Sequence, residues 1–210
     1  MAEGWLIGVP LGAKEMMSLP SELTIDMIAR AVDMGRDLGA EIVGLGALTS
    51  VVTRGGRAVT GRDVAITSGN SFTTMMAIEA LFLGAEKMYI EPIGAQGGVV
   101  GANGSIGRAC ALMMSEKLCQ ITLFGNPQRP TSSRLRLNSL AKDIFEYART
   151  RMLAGKRDGM SLWLGRVVDL LAEKDDAQAS QYLQYILQGN ELNLPYMIEQ
   201  IGRASCRERV

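Results

Sequence analysis

Apolar residues along this 210-residue chain fall into two kinds of spacing, and each kind predicts a different element. Ile25, Ile28, Ala29, Ala31, Val32 and Leu38 recur at intervals of about one turn, with Ser21 and Thr24 offering starts and Gly39 a stop. That pattern predicts a helix with one buried face. Short apolar runs read as strands instead: residues 5–10, then 41–48 as a strand buried on both faces, then 63–67. The third strand ends in Ser68-Gly69-Asn70-Ser71, a loop with Gly55 and Gly56 precedes it, and 73–83 reads as a helix. The order β, α, β, β, α implies an open α/β layer.

Beyond that layer, Val99 and Val100 run straight into Gly101, Ala102, Asn103, Gly104, Ser105, Ile106 and Gly107. Glycines three apart suit a strand that turns tightly into a helix over a phosphate. Gly101 allows the turn, Gly104 lets the backbone approach a pyrophosphate, and Gly107 lets the helix lie close on its strand. The helix start then offers unpaired N–H groups and a positive dipole end to the anion. An amphipathic helix over 105–117 and a strand over 120–124 complete a βαβ unit of roughly 30 residues. A plain strand-to-helix turn fits the same glycines. The second strand carries no carboxylate at its end, where an NAD site places one; Asn126, Arg129, Thr131, Ser132 and Ser133 follow, a group suited to a 2′-phosphate and hence to NADP. Asn126-Pro127 also fits an ordinary turn.

Residues 131–200 change texture. Leu135, Leu137, Leu140, Ile144, Tyr147 and Ala148, then Leu162, Trp163, Val167, Val168, Leu170 and Leu171, fall at helical spacing between charged residues. Gly155 and Gly159 break the pattern, and Gly189-Asn190 ends a helix over 178–187. Arg134, Arg136, Arg149, Arg151, Lys156 and Arg157 form a basic run that either attracts an acidic carrier protein or is a solvated helix face. The expected fold class is α/β: an open α/β substrate-side domain over 1–92, a partial Rossmann-like dinucleotide-binding unit over 93–130, and a helical insertion or extension over 131–200.

Composition narrows the partners. Lysine plus arginine and aspartate plus glutamate number 22 each, which gives no electrostatic reason to bind nucleic acid or an anionic membrane. No run approaches the length of a membrane span, residues 1–10 lack the marks of a signal peptide, and a cytoplasmic protein is expected. Cys110, Cys119 and Cys206 show no paired spacing, so neither a disulfide framework nor a metal site is indicated. Histidine is absent, leaving proton transfer to Lys, Asp, Glu, Tyr, Ser or water. Residues 201–210 have no apolar periodicity, and back-translated they resemble a sequencing-library adapter read in frame; the expectation is that they, with Cys206, are foreign to the protein.

Two further loops place polar groups beyond the carboxyl ends of strands, where open α/β sheets hold ligands: Thr49 with Ser50, and Ser68, Gly69, Asn70 and Ser71. These groups suit a carboxylate, phosphate or thioester oxygen, and they equally suit helix capping. Three ordered segments together resemble the long-chain acyl-[acyl-carrier-protein] reductases. Residues 44–52 are similar to that family's GxFTS segment, 67–73 to its TTGNTxT segment, and 99–107 to its VVGATGxIG segment. The resemblance implies NADPH-dependent reduction of a fatty acyl thioester, carried by acyl carrier protein or coenzyme A, to an aldehyde. It implies that Gly101, Ala102, Asn103, Gly104, Ser105, Ile106 and Gly107 hold the cofactor phosphates and that Asn126 and Arg129 recognise the adenosine end. Thr49, Ser50, Ser68, Gly69, Asn70 and Ser71 would face the thioester.

That family uses a cysteine nucleophile downstream, and no cysteine here matches it; Cys110 and Cys119 read as small core residues. The chain therefore reads as an incomplete and inactive part of such an enzyme, with an oligomer allowed. Two other readings stand beside it. One is a shikimate- or methylene-tetrahydrofolate-type NADP dehydrogenase using Lys14, Lys87 or Lys117, and the other a non-catalytic NADP-binding scaffold.

Overall fold

The structure, a computed structural model, describes residues 3–174 and 177–188. The expected helix end at Gly189-Asn190, residues 201–210 and Cys206 lie outside the described residues. Two compact units divide the chain, Met1–Thr73 and Thr74–Val210.

In the first unit, α1 (Ala13–Ser18) and α2 (Ser21–Asp37) precede β1 (Ile42–Gly44), the short α3 (Thr49–Val52) and β2 (Ala65–Thr67). The stripe on α2 packs as its spacing predicts: Ile28, Ala29 and Val32 are buried against Leu45 and Val59, with Val43 and Ile66 of the sheet beside them. β1 and β2 are parallel, with Ile42 opposite Ala65 and Gly44 opposite Thr67. Two expectations fail here. Residues 5–10 form no strand, since among the described residues no neighbouring strand pairs with them; Val9 reaches the core while Leu6 is exposed. Nor is the run at 41–48 a strand buried on both faces: only three residues pair, and Ile42 is 64% exposed because α2 covers the opposite face.

The second unit holds most of α4 (Asn70–Lys87), then β3 (Gln96–Val100), α5 (Ser105–Met114), β4 (Gln120–Phe124), α6 (Pro130–Leu153), α7 (Gly159–Ala172) and α8 (Ala177–Gln188). β3 and β4 run parallel from Gln96 opposite Gln120 to Val100 opposite Phe124. A parallel pair needs a crossover, and α5 supplies it. β3 lies close against the end of α5: a Cβ on Gly97 would meet the flexible ends of the Leu118 and Met114 side chains.

α6 joins two cores. Leu140 and Ile144 pack with Val99, Ala111, Met114 and Leu118, whereas Phe145 and Met152 pack with Leu164, Val167, Tyr185 and Ile186 of α7 and α8. The start of α7 is latched to the end of α5. Met160 N–H donates to Ser115 O at 2.9 Å, the Cys119 thiol donates to Gly159 O at 3.3 Å, and a Cβ on Gly159 would lie 2.4 Å from Ser115 O.

The fold is therefore mixed α/β, with helices and two small parallel sheets. Among the described residues each sheet has two strands, so the strand order that marks a dinucleotide fold, and the crevice where that order reverses, is not built. No described helix is long and apolar enough to cross a membrane.

Candidate functional site

The turn after β3 is shaped by its glycines. Gly101 takes φ +75°, and its N–H and that of Ala102 both donate to Phe124 O, at 3.0 and 3.1 Å. Gly104 N–H closes back onto Gly101 O at 2.9 Å, and Gly104 then stands at the N-cap of α5. A Cβ on Gly107 would lie 2.4 Å from Gly101 O and 3.0 Å from Ala102 Cα, so this position admits no side chain without moving backbone. At Gly104 the nearest atom would be Gly101 O at 3.4 Å, an ordinary contact. Ser105, Ile106 and Gly107 occupy the first turn of α5; for Ile106 and Gly107 the helix supplies no carbonyl partner of its own. Beside the turn lies a groove of about 550 Å³, where Gly101, Ile106 and Cys110 face Ile78 and Leu81 of α4. Burial pushes the Cys110 thiol up from its ordinary range, which keeps it protonated and unreactive at neutral pH. Arg108, the cation on this turn of helix, is paired with Asp143.

The expected adenosine-phosphate pocket is not assembled. Asn126 Oδ1 accepts the Gln128 N–H at 2.9 Å in its own turn, and Asn126 N–H donates to Ser133 Oγ at 2.9 Å. Ser133 is buried and also meets the Asn103 amide at 2.6 Å, so it ties the β3–α5 turn to the β4–α6 turn. A Cβ on Gly125 would overlap that hydroxyl. Arg129, Thr131 and Ser132 are exposed at the start of α6, and Ser132 Oγ donates back to Arg129 O at 3.4 Å. A second groove, of about 590 Å³, runs between β4 and α6 past Thr122, Asn126, Arg134, Leu137 and Asn138.

In the first unit, the two polar loops leave the same carboxyl edge, since β1 and β2 are parallel and end in register. Their hydroxyls serve the local backbone. Thr49 Oγ1 donates to Gly46 O at 2.6 Å and Ser50 Oγ to Ala47 O at 3.4 Å. Ser68 Oγ accepts the Asn70 N–H at 3.5 Å, Gly69 turns the chain at φ +71°, and Ser71 is exposed in the first turn of α4.

The basic run disperses once folded. Arg149 donates to Ile186 O and Leu187 O, Arg157 to Met152 O, and Arg151 to Asp158 at 2.7 Å with Glu116 at 3.5 Å. These three cations cap helices and join elements, while Arg134, Arg136 and Lys156 are exposed. Of the candidate lysines, Lys117 lies over the Phe82 ring at 4.8 Å, and Lys14 and Lys87 are exposed.

Along the chain Gly159 reads only as a break between helices and Gly125 carries no signal, because the need for glycine at both comes from partners distant in the chain. Sequence reasoning also passed over the Glu116, Tyr147, Arg151 and Asp158 cluster. Only the spacing of Tyr147 and Arg151, one turn apart on one helix, could have hinted at it.

No family model matches the chain. A stretch of 105 residues is 36% identical to the aminotransferase PigE of Serratia sp. (strain ATCC 39006), covering 50% of this chain and 12% of that protein. The chain thus matches a small part of a much longer relative. This similarity corrects the reductase reading: the relative is an aminotransferase, not an acyl-[acyl-carrier-protein] reductase or another oxidoreductase. NADP as cofactor and acyl carrier protein or acyl-CoA as partner fall with that reading. The geometry agrees on the cofactor, because Asn126 and Ser133 are occupied within the protein while Arg129, Thr131 and Ser132 lie exposed at the start of α6 and are not gathered around a pocket with them.

Proposed function

We propose that this chain is an α/β segment of a longer, aminotransferase-related enzyme, and that its turn at residues 101–107 holds the phosphate of that enzyme's ligand. The observation that carries this reading is the pairing of a positive φ at Gly101 with the closed space at Gly107, which sets the first turn of α5 directly over the end of β3. The first turn of α5 then offers the main-chain N–H groups of Ile106 and Gly107 and a helix dipole to an anion. Thr49, Ser50, Ser68, Gly69, Asn70 and Ser71, on the carboxyl edge of the first unit's sheet, are proposed to hold the carboxylate of an amino or keto acid substrate.

Amino-group transfer is proposed for the longer protein, not for this segment alone. Pyridoxal phosphate chemistry needs a lysine amine to carry the coenzyme, and the groove beside the turn has no lysine in its lining. The residues present do not fit that centre, whereas they do suit a phosphate.

Titration calorimetry with inorganic pyrophosphate tests the reading, with Ile106→Glu as the control variant. Ile106 is exposed in the first turn of α5, where a carboxylate favours the helix by about 0.3–1 kcal/mol yet repels a bound anion. The expected result is binding by the native chain and a loss of about tenfold or more in the variant, without loss of thermal stability. Equal affinities would overturn the proposal.

A further inference from the structure

α4 is apolar around much of its circumference, yet of its residues only Thr74 and Ile78 are buried. A helix of that kind normally lies against neighbours on several sides. Beside it, within the second unit, a cleft of about 1070 Å³ is lined by Ile78, Phe82 and Met113, with Leu83 and Tyr89 at its rim 51% and 95% exposed. Tyr89 stands just beyond the helix at φ +58°, a left-handed conformation that tyrosine rarely adopts, and it holds an aromatic ring in solvent.

The charges on this face are of both signs: Glu79, Glu86 and Glu91 line the cleft together with Lys87 and Lys117. Lys117 lies over the Phe82 ring. Glu79 and Lys87 are exposed, and neither has an ion pair among the described residues. They cannot pair with each other, since eight residues along one helix span about 12 Å. Leu83 lies midway, four residues from each, so Glu79, Leu83 and Lys87 form one ridge of the helix surface. Opposite charges set equally on either side of an exposed leucine are self-complementary, because reversing the ridge end for end sets each charge opposite the other.

We propose that this ridge is the contact surface of a homodimer, in which a second copy of the chain packs antiparallel on α4 about a two-fold axis at Leu83. Leu83 meets its own copy, Glu79 of each chain faces Lys87 of the other, and Tyr89 and Ile90 of each chain cover Met75 and Met76 across the axis. The mixed signs argue for this occupant, since a partner of one strong charge would set either the carboxylates or the ammonium groups against like charge.

Sedimentation velocity of the full chain over a dilution series tests the arrangement, with helical circular dichroism as the control on folding. The native chain is expected to sediment as a dimer that dissociates on dilution. Glu79→Lys and Lys87→Glu each set like charges face to face twice across the axis, and each raises the dimer dissociation constant about tenfold or more with helical content unchanged. An equimolar mixture of the two variants restores dimers, because each altered charge then faces its complement, and the chain carrying both substitutions dimerises on its own. A substitution that merely disturbed the fold would give no such rescue.

A native chain that is monomeric at every concentration overturns the proposal without recourse to any variant. A dimer that both single variants leave intact lies on another surface and overturns it equally, as does a mixture that stays monomeric.

Discussion

Gly107 and Gly104 look alike in sequence and differ in what surrounds them. A methyl group at 107 meets backbone at 2.4 Å, and backbone cannot swing aside as a flexible side chain can. Gly107→Ala is expected to cost about 1–3 kcal/mol, seen as a lowered melting temperature, whereas Gly104→Ala costs about 1 kcal/mol or less. Similar losses in both would show that the turn is not closed at 107. The spacing of these glycines could be read along the chain because their contacts are local. Gly125 and Gly159 could not be, since the atoms that exclude a side chain there belong to Ser133 and Ser115. Ser133 was misread for a related reason. A serine after a strand suits a ligand or a tie equally, and only burial, at 6% exposure, separates the two. Tyr147 carries a pH-dependent effect. Its hydroxyl donates to Glu116, and chiefly that bond raises its pKa above the ordinary value, with burial adding to the rise and Arg151 opposing it. A phenol whose folded pKa is raised contributes stability fully below its unfolded pKa of about 10, and loses it as pH climbs through the folded value. Melting curves from pH 8 to 11 should therefore show native and Tyr147→Phe chains converging at the alkaline end. A constant gap across that range would refute the role given to the bond.

At the scale of elements, α6 matters most, because one 24-residue helix contributes to both cores of the second unit. Its apolar positions were visible in the sequence, and so was the break near Gly155 and Gly159. The two neighbourhoods along the helix were not visible, since a 3.6-residue period identifies a buried face and not what lies against it. Charge misled for the same reason. Arg149 and Arg151 read as surface cations, but their guanidinium groups turn onto carbonyls and carboxylates of neighbouring elements. The strands were the least legible elements. β4 matches its expected bounds, while β1 and β2 keep only three residues each, because a strand extends only as far as its neighbour pairs with it. The helical core gives a direct test. Leu164 of α7 is 1% exposed between α6 and α8, so Leu164→Ala should cost about 2–5 kcal/mol through lost burial and the cavity left behind. Chemical denaturation that shows a loss under about 1 kcal/mol would mean that α7 and α8 pack too loosely to act as one body with α6.

On the scale of the whole molecule, the unusual feature is how much apolar surface the two sheets leave open. Parallel strands normally lie in sheets covered on both faces, yet Val100 is 85% exposed and Phe124 49% exposed at the carboxyl edge of β3 and β4. Both flank the turn proposed to hold a phosphate, since Gly101 and Ala102 bond directly to Phe124 O. Exposed apolar side chains side by side at one strand edge form a patch that an apolar probe can reach. The chain alone should consequently bind an apolar fluorescent dye such as anilinonaphthalene sulfonate. Val100→Thr combined with Phe124→Thr should lower that fluorescence sharply while leaving the melting temperature nearly unchanged, because threonine keeps the strand preference and neither side chain belongs to the core. Undiminished fluorescence would place the dye on another surface and show that this edge is not the apolar patch it binds. A steep fall in melting temperature would mean instead that the two side chains already hold the sheet together.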